Sequence, residues 1–263
     1  MVHFVGAGSG AADLITVRGA RLLREADVII YAGSLVNPAL LEEAKEGCRV
    51  ENSARMTLEE VIAVMEEAEA AGQTTVRLHT GDPCLYGAIR EQMDILDEKG
   101  ISYDYCPGVS SFSGAAAALN LEYTLPSVSQ SVVITRMAGR TPVPERESIE
   151  SFAAHGATMV IFLSTGMLAE LSRRLVAGGY REDTSAAIVY KATWPDEKSF
   201  VCTVGTLAQT AEENQITRTA LILVGDAVAH TNYQRSELYH PAFTTGYRQA
   251  TASSHAEADG GKA

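Results

Sequence analysis

Residues 2–23 read VHFVGAGSGAADLITVRGARLL. A short β-branched and aromatic run leads into a cluster of glycines, and from about Thr16 apolar residues recur at helical spacing. Strand, glycine turn and helix in that order open an α/β fold. Gly6, Gly8 and Ala11 also satisfy the dinucleotide pattern G-x-G-x-x-G/A. That pattern expects an acidic residue at the end of the second strand to hold a ribose, and the predicted strand Asp27 to Tyr31 runs instead into Ala32-Gly33. An NAD-dependent oxidoreductase is the lesser reading of this loop. No G-K-[ST] follows, so an ATP phosphate cradle is excluded.

The alternation continues outward. Strands are predicted at Val2–Gly6, Asp27–Tyr31, Arg49–Glu51, Thr75–His79 and Ser102–Tyr105. A second set is predicted at Ser131–Thr135, Thr158–Leu163, Ala186–Tyr190, Phe200–Thr203 and Leu221–Val224. Amphipathic stretches separate them, the pattern of βαβ units around a largely parallel sheet. One helix is explicit: Thr57 is followed three residues on by Glu60, a capping box, Leu58, Val61, Ile62 and Met65 share a face, and Gly72 ends the run. Pro107-Gly108 punctuates the chain near its middle. The expected architecture is two α/β domains, 1–108 and 109–249, followed by a disordered tail at 250–263 rich in Ala, Ser and Gly.

Composition narrows the function. The chain has 263 residues, 46% hydrophobic and 21% charged, with a formal net charge of −12. Binding of DNA or RNA needs many phosphate contacts from Lys and Arg, so a nucleic-acid partner is not expected. No apolar run reaches the ~20 residues of a membrane helix, and no signal segment precedes Val2, so the expected location is cytoplasmic. Cys48, Cys84, Cys106 and Cys202 are too scattered for a metal or redox motif, and no metal site is expected.

A second cluster stands where a predicted strand ends: Arg77-Leu78-His79-Thr80-Gly81-Asp82-Pro83-Cys84-Leu85-Tyr86-Gly87. Ligands of open α/β sheets sit at the carboxyl ends of strands, and this loop offers amides, a carboxylate and a rigid proline together. Asp82 has a second reading, as the cap of a helix starting near Tyr86.

The segments GAGSGAADLITVRGARLL, RLHTGDPCLYGAIREQ, PGVSSFSGAAAALN and TALILVGDAV resemble, in order, the signature blocks of the tetrapyrrole methylase family. YAGSLVNPALL, SVSQSVVITRMAGRTPVPERE and IVYKATWPDE are similar to the branch that methylates precorrin-4, or its cobalt complex, at C-11 in cobalamin biosynthesis. The resemblance implies an active site in the cleft between the two domains, S-adenosylmethionine as donor, S-adenosylhomocysteine as product, a polycarboxylate corrin precursor as acceptor, and a homodimer. Donor-binding positions fall on Ser9, Thr80, Gly81, Asp82, Leu85, Tyr86, Ser110, Ser111, Leu163 and Ala192. Ser9 stands where many members have proline. Ala32 stands where uroporphyrinogen methylases carry an aspartate, so that acceptor is not expected.

Two residues are candidates for catalysis: Asp82, to stabilise a positive sulfur, and His79, to move a proton near neutral pH. An acidic protein must bring local cations to a polycarboxylate, and Arg136, Arg140, Arg18, Arg55 and Lys191, all at predicted loop or strand ends, are the candidates. The alternatives are a member of the same family with another acceptor, including a macromolecule, and the NAD-dependent oxidoreductase.

Overall fold

The computed structural model of the chain describes residues 1–251. All but the first two residues of the expected tail, 250–263, lie outside them.

The first sheet holds β1 (Val2–Gly6), β2 (Val28–Tyr31), β3 (Arg49–Asn52), β4 (Thr75–His79) and β5 (Tyr103–Cys106). Its order is β3-β2-β4-β1-β5, and every pair is parallel. Central β1 and β4 are covered by helices on both sides: β1 is apolar toward both, whereas β4 buries Val76 and Leu78 on one face and Thr75, Arg77 and His79 on the other. On one side α1 (Val17–Glu25) buries Leu22 and Leu23. On the other lie α2 (Leu58–Ala70) and α3 (Arg90–Lys99). The capping box forms as expected: Thr57 accepts from the Glu60 amide, and Glu60 accepts from the Thr57 amide. Gly72 follows in the left-handed region, φ +67°.

After β5 the chain crosses to a second layer. Helix α4 (Ser111–Ala118) packs Ala115 and Phe112 against Val160 and Leu223 of the second sheet. That sheet comprises β6 (Val132–Arg136), β7 (Thr158–Phe162), β8 (Ser185–Tyr190), β9 (Lys198–Thr203) and β10 (Ala220–Val224). Helices α5 (Ile149–Ala153), α6 (Leu168–Ala177) and α7 (Leu207–Glu213) cover its other face.

Here the expectation of a largely parallel sheet is corrected. The order is β6-β7-β10-β8-β9, and only β6 and β7 run parallel. Residues 191–197 join β8 to β9 directly, too short a link for the crossover that parallel neighbours require. Then β10 inserts between β7 and β8, antiparallel to both.

Candidate functional site

The loops leaving β1 and β4 pair with each other. Gly8 and Gly81 exchange main-chain hydrogen bonds, Gly81 N to Gly8 O at 2.9 Å and Gly8 N to Gly81 O at 3.3 Å. Close approach explains two of the glycines: a Cβ on Gly6 would lie 2.5 Å from Gly108 Cα, and one on Gly108 2.3 Å from Gly81 O. Three loops therefore meet backbone to backbone, at the C-terminal edge of the sheet.

Asp82 braces this junction. One carboxylate oxygen accepts from the Cys84 amide at 2.9 Å and from the Tyr105 hydroxyl; the other accepts from the Gly108 amide at 2.9 Å. Burial raises the pKa of this carboxyl, but the bonds from Cys84, Tyr105 and Gly108 outweigh it and hold it below the ordinary range. The expected helix at Tyr86 does not form. Tyr86 and Ala88 sit in the left-handed region, φ +59° and +48°, and α3 starts only at Arg90, so Asp82 closes a turn onto Cys84 and caps no helix.

Between the two layers lies a pocket of about 200 Å³. Ser9, Leu35 and Thr80 reach it from the first sheet's loops and Ser111 from the start of α4; Phe162, Leu163, Val189, Ala192 and Leu221 give the second sheet's apolar wall, with Lys191 and Trp194 at the hairpin. Five of the positions implied for the donor thus come together: Ser9, Thr80, Ser111, Leu163 and Ala192. The other five are not among the residues that line it. Gly81 pairs with Gly8, Asp82 braces the junction, Ser110 is the residue preceding α4, and Leu85 packs into the second sheet's core. The Tyr86 ring rests on Phe162, centroids 5.4 Å apart.

Backbone strain gathers here. Leu163, Lys191 and Thr219 line the pocket with φ of +53°, +46° and +59°, values that L-residues other than glycine rarely adopt. Such conformations cost ~1–3 kcal/mol each and survive where the surroundings over-determine them, which is characteristic of ligand sites.

The catalytic reading of His79 meets a different environment. Its side chain is buried on the α2–α3 side of the first sheet, stacked on Phe4, and Nε2 has no hydrogen-bond partner among the described residues. Burial first, and the Arg77 charge second, push its pKa down to about 3. With its pKa held this low the ring stays unprotonated near neutral pH, and it is not among the groups lining the pocket, so this geometry does not support the proton-shuttle reading.

The candidate cations separate similarly. Arg18 is exposed on α1, and Arg55 lies in a separate surface hollow with Arg49, Glu51 and Glu60; neither reaches the pocket. The guanidinium of Arg136 donates to three main-chain carbonyls, Met137 O at 3.1 Å, Thr141 O at 3.2 Å and Pro142 O at 2.7 Å. It shapes the loop that carries Arg140, which is exposed. Lys191 lines the pocket, bonded to Asp196 at 2.7 Å and lying over the rings of Tyr190 and Trp194.

Sequence reading missed Leu35, Thr193 and Trp194. Asn37 fixes the Leu35 turn by donating to Gly10 O at 2.9 Å and accepting from the Ala39 amide. Trp194, the chain's single tryptophan, lies against Gly10, where a Cβ would come within 2.3 Å of its ring. The pairing of Gly8, this cover over Gly10 and a first helix that begins only at Val17 leave the glycine loop no open face for a dinucleotide. Among the described residues no helix is long and apolar enough to cross a membrane, and no group of three or more His, Cys, Asp or Glu is placed to hold a metal ion.

Comparison with known proteins agrees with this geometry. The model of the Tetrapyrrole (Corrin/Porphyrin) Methylases matches residues 1–208. The cobalt-precorrin-4 C(11)-methyltransferase of Methanocaldococcus jannaschii is 49% identical over 95% of this chain and 96% of its own length. The precorrin-4 C(11)-methyltransferase of a Sinorhizobium species is 44% identical over 94% of this chain and 98% of its own. The X-ray structure of a cobalamin biosynthetic enzyme, cobalt precorrin-4 methyltransferase, superposes with a TM-score of 0.85 at 44% identity, covering 86% of this chain and 95% of that one. With the match spanning both sheets and the inter-sheet pocket in place, this chain belongs to the tetrapyrrole methylase family and is a methyltransferase.

Proposed function

We propose that the protein transfers a methyl group from S-adenosylmethionine to C-11 of precorrin-4 or its cobalt complex, in cobalamin biosynthesis. The observation that carries this reading is the inter-sheet pocket, walled by Ser9, Thr80, Ser111, Leu163 and Ala192, in a chain nearly half identical over its length to enzymes of that name. Small hydroxyl side chains face an apolar floor of Val189, Phe162 and Leu221, a lining suited to a nucleoside with a short polar tail.

S-adenosylmethionine, when bound, supplies an electrophilic methyl on a positively charged sulfur. The protein's part is to hold that group and the acceptor in line and to exclude water, which can lower a barrier by ~7–11 kcal/mol. The acceptor carbon is the nucleophile, so no nucleophilic side chain is needed. Asp82 acts through the loop: by bonding Cys84, Tyr105 and Gly108 it fixes the turn that carries Thr80. Arg140 and Lys191 meet acceptor carboxylates, with Arg136 holding the Arg140 loop in shape.

We read the chain as two domains divided near residue 108, cytoplasmic, and paired as a homodimer. Exposed Tyr233, Leu238, Tyr239 and Tyr247 on the last described segment favour association. Incubation with precorrin-4, or with its cobalt complex, followed by mass spectrometry tests the function. One added methyl at C-11 is the expected product, and the faster acceptor decides the cobalt question; no methylation of either overturns the reading.

A further inference from the structure

We infer that Thr193 is a positioning residue of the donor pocket, its hydroxyl clasping the glycine loop to the tip of the β8–β9 hairpin across the boundary between the two sheets. The inference rests on the pocket being the methyl-donor site.

Thr193 Oγ1 accepts from the Ala11 amide at 3.0 Å and lies 3.1 Å from Ser9 Oγ. Among the described residues, no other side-chain hydrogen bond joins residues 1–108 to the strands or hairpins of the second sheet. The bond sits beside the pocket: Ser9 is one wall residue, and Ala192, which precedes Thr193, is the facing one. The hydroxyl therefore sets the distance between two walls that belong to different sheets.

Three further features are arranged around it. Thr193 has φ +67°, a region that β-branched residues avoid unless surrounding contacts hold them there. Gly114 of α4 leaves the necessary room, since a Cβ there would stand 2.8 Å from Ser9 Cβ and 3.2 Å from Thr193 Cγ2. Gly10 leaves room for the Trp194 ring next to it, and that ring also lines the pocket.

Two substitutions address the same bond from opposite sides. Thr193→Val keeps the shape and removes the hydroxyl. Ala11→Pro removes the amide donor at a φ of −63° that proline accepts, and its Cδ, standing where the N–H pointed, pushes the Thr193 side chain off the loop. S-adenosylhomocysteine binding is measured by calorimetry and donor KM and kcat by turnover. Loss of one hydrogen bond predicts roughly a tenfold weaker affinity and a similar rise in donor KM in each variant, with kcat at saturating donor changed far less. The double variant should be no worse than the poorer single one, since both break one link. Thr193→Ser should restore binding to within about twofold of the parent, as it returns the acceptor oxygen.

The inference is overturned if folded Thr193→Val binds as tightly as the parent, if the two losses add, or if Thr193→Ser is as weak as Thr193→Val. A melting point that falls with donor KM unchanged overturns it as well. Should Thr193→Val fail to fold, Ala11→Pro and Thr193→Ser decide the matter. Failure of the parent itself to bind S-adenosylhomocysteine would instead remove the donor reading, and this inference with it.

Discussion

The carboxylate of Asp82 accepts the main-chain amide of Gly108 at 2.9 Å, tying the loop after β4 to the segment that leaves the first sheet. Together with the bonds from Cys84 and Tyr105, this makes Asp82 a brace for the pocket wall. Asp82→Asn keeps the shape and removes the charge, and should cost roughly 1–3 kcal/mol of stability. The pH dependence has a definite sign. The folded pKa lies below the unfolded one, so the contribution is complete above the ordinary carboxylate value of about 4 and is lost as pH falls through the folded pKa. Urea midpoints measured down the acid limb should fall less steeply in the Asn variant than in the parent.

His79 predicts a pH effect over a wider window. The unfolded imidazole takes a proton below about 6.5, whereas the folded one resists until about 3, so stability from this group is present above 6.5 and declines as pH falls toward 3. His79→Leu should flatten that decline and leave turnover at pH 7 within about a factor of two, because the ring is outside the pocket and Nε2 is unpaired. A pH–rate limb near neutrality that disappears in the variant would show the histidine to be catalytic after all.

Arg136 and Arg140 should part company when mutated. Arg136→Lys cannot reproduce the three-carbonyl grip and should raise acceptor KM several-fold, while lowering the melting temperature. Arg140→Ala leaves that grip intact and should raise acceptor KM with the melting temperature unchanged, as an exposed side chain contributes little to stability. Steady-state kinetics with acceptor varied at saturating donor, alongside thermal melts, separates the two.

Two glycine substitutions should differ in severity. In Gly108→Ala the new Cβ meets main-chain atoms of Gly81 and Gly6, which cannot move independently, so a loss above ~2 kcal/mol or failure to fold is expected. In Gly10→Ala it meets the Trp194 ring at 2.3 Å, which can swing away, and the Ala192 carbonyl oxygen at 2.7 Å, which only a small shift of the β8–β9 hairpin relieves. The protein should then fold, with the tryptophan emission shifted to the red and donor affinity reduced. Equal stability of the two variants would contradict this account.

How far the sequence carried varied with the range of the interactions involved. Thr158–Phe162 was legible because Met159 to Phe162 form an unbroken apolar run, Thr75–His79 because β-branched Thr75 and Val76 follow the Gly72 stop and lead to the Gly81 turn, and α2 because its capping box is a local device. The start of β9 was placed two residues late because Lys198 and Ser199 are polar and exposed on an edge strand. Strand direction in the second sheet was not legible, since it depends on where β10 inserts, and periodicity is silent on that. Asp82-Pro83 looked like a helix start until Tyr86 and Ala88, both with positive φ, delayed it. In the site, five of the pocket-lining residues were named through the family resemblance, but Thr193 meets Ser9 across 184 residues, and nothing local in either segment announces the other. Arg136 was read as a ligand of the acceptor because its carbonyl partners are contributed by main chain, which a side-chain pattern does not display.

Within the single loop from Asp82 to Tyr86, one end is bonded to Gly108 and the other lays its ring on Phe162. A segment fastened to both layers behaves as a strut: the layers can change their spacing there only by breaking the bond to Gly108 or by sliding the Tyr86 ring off Phe162.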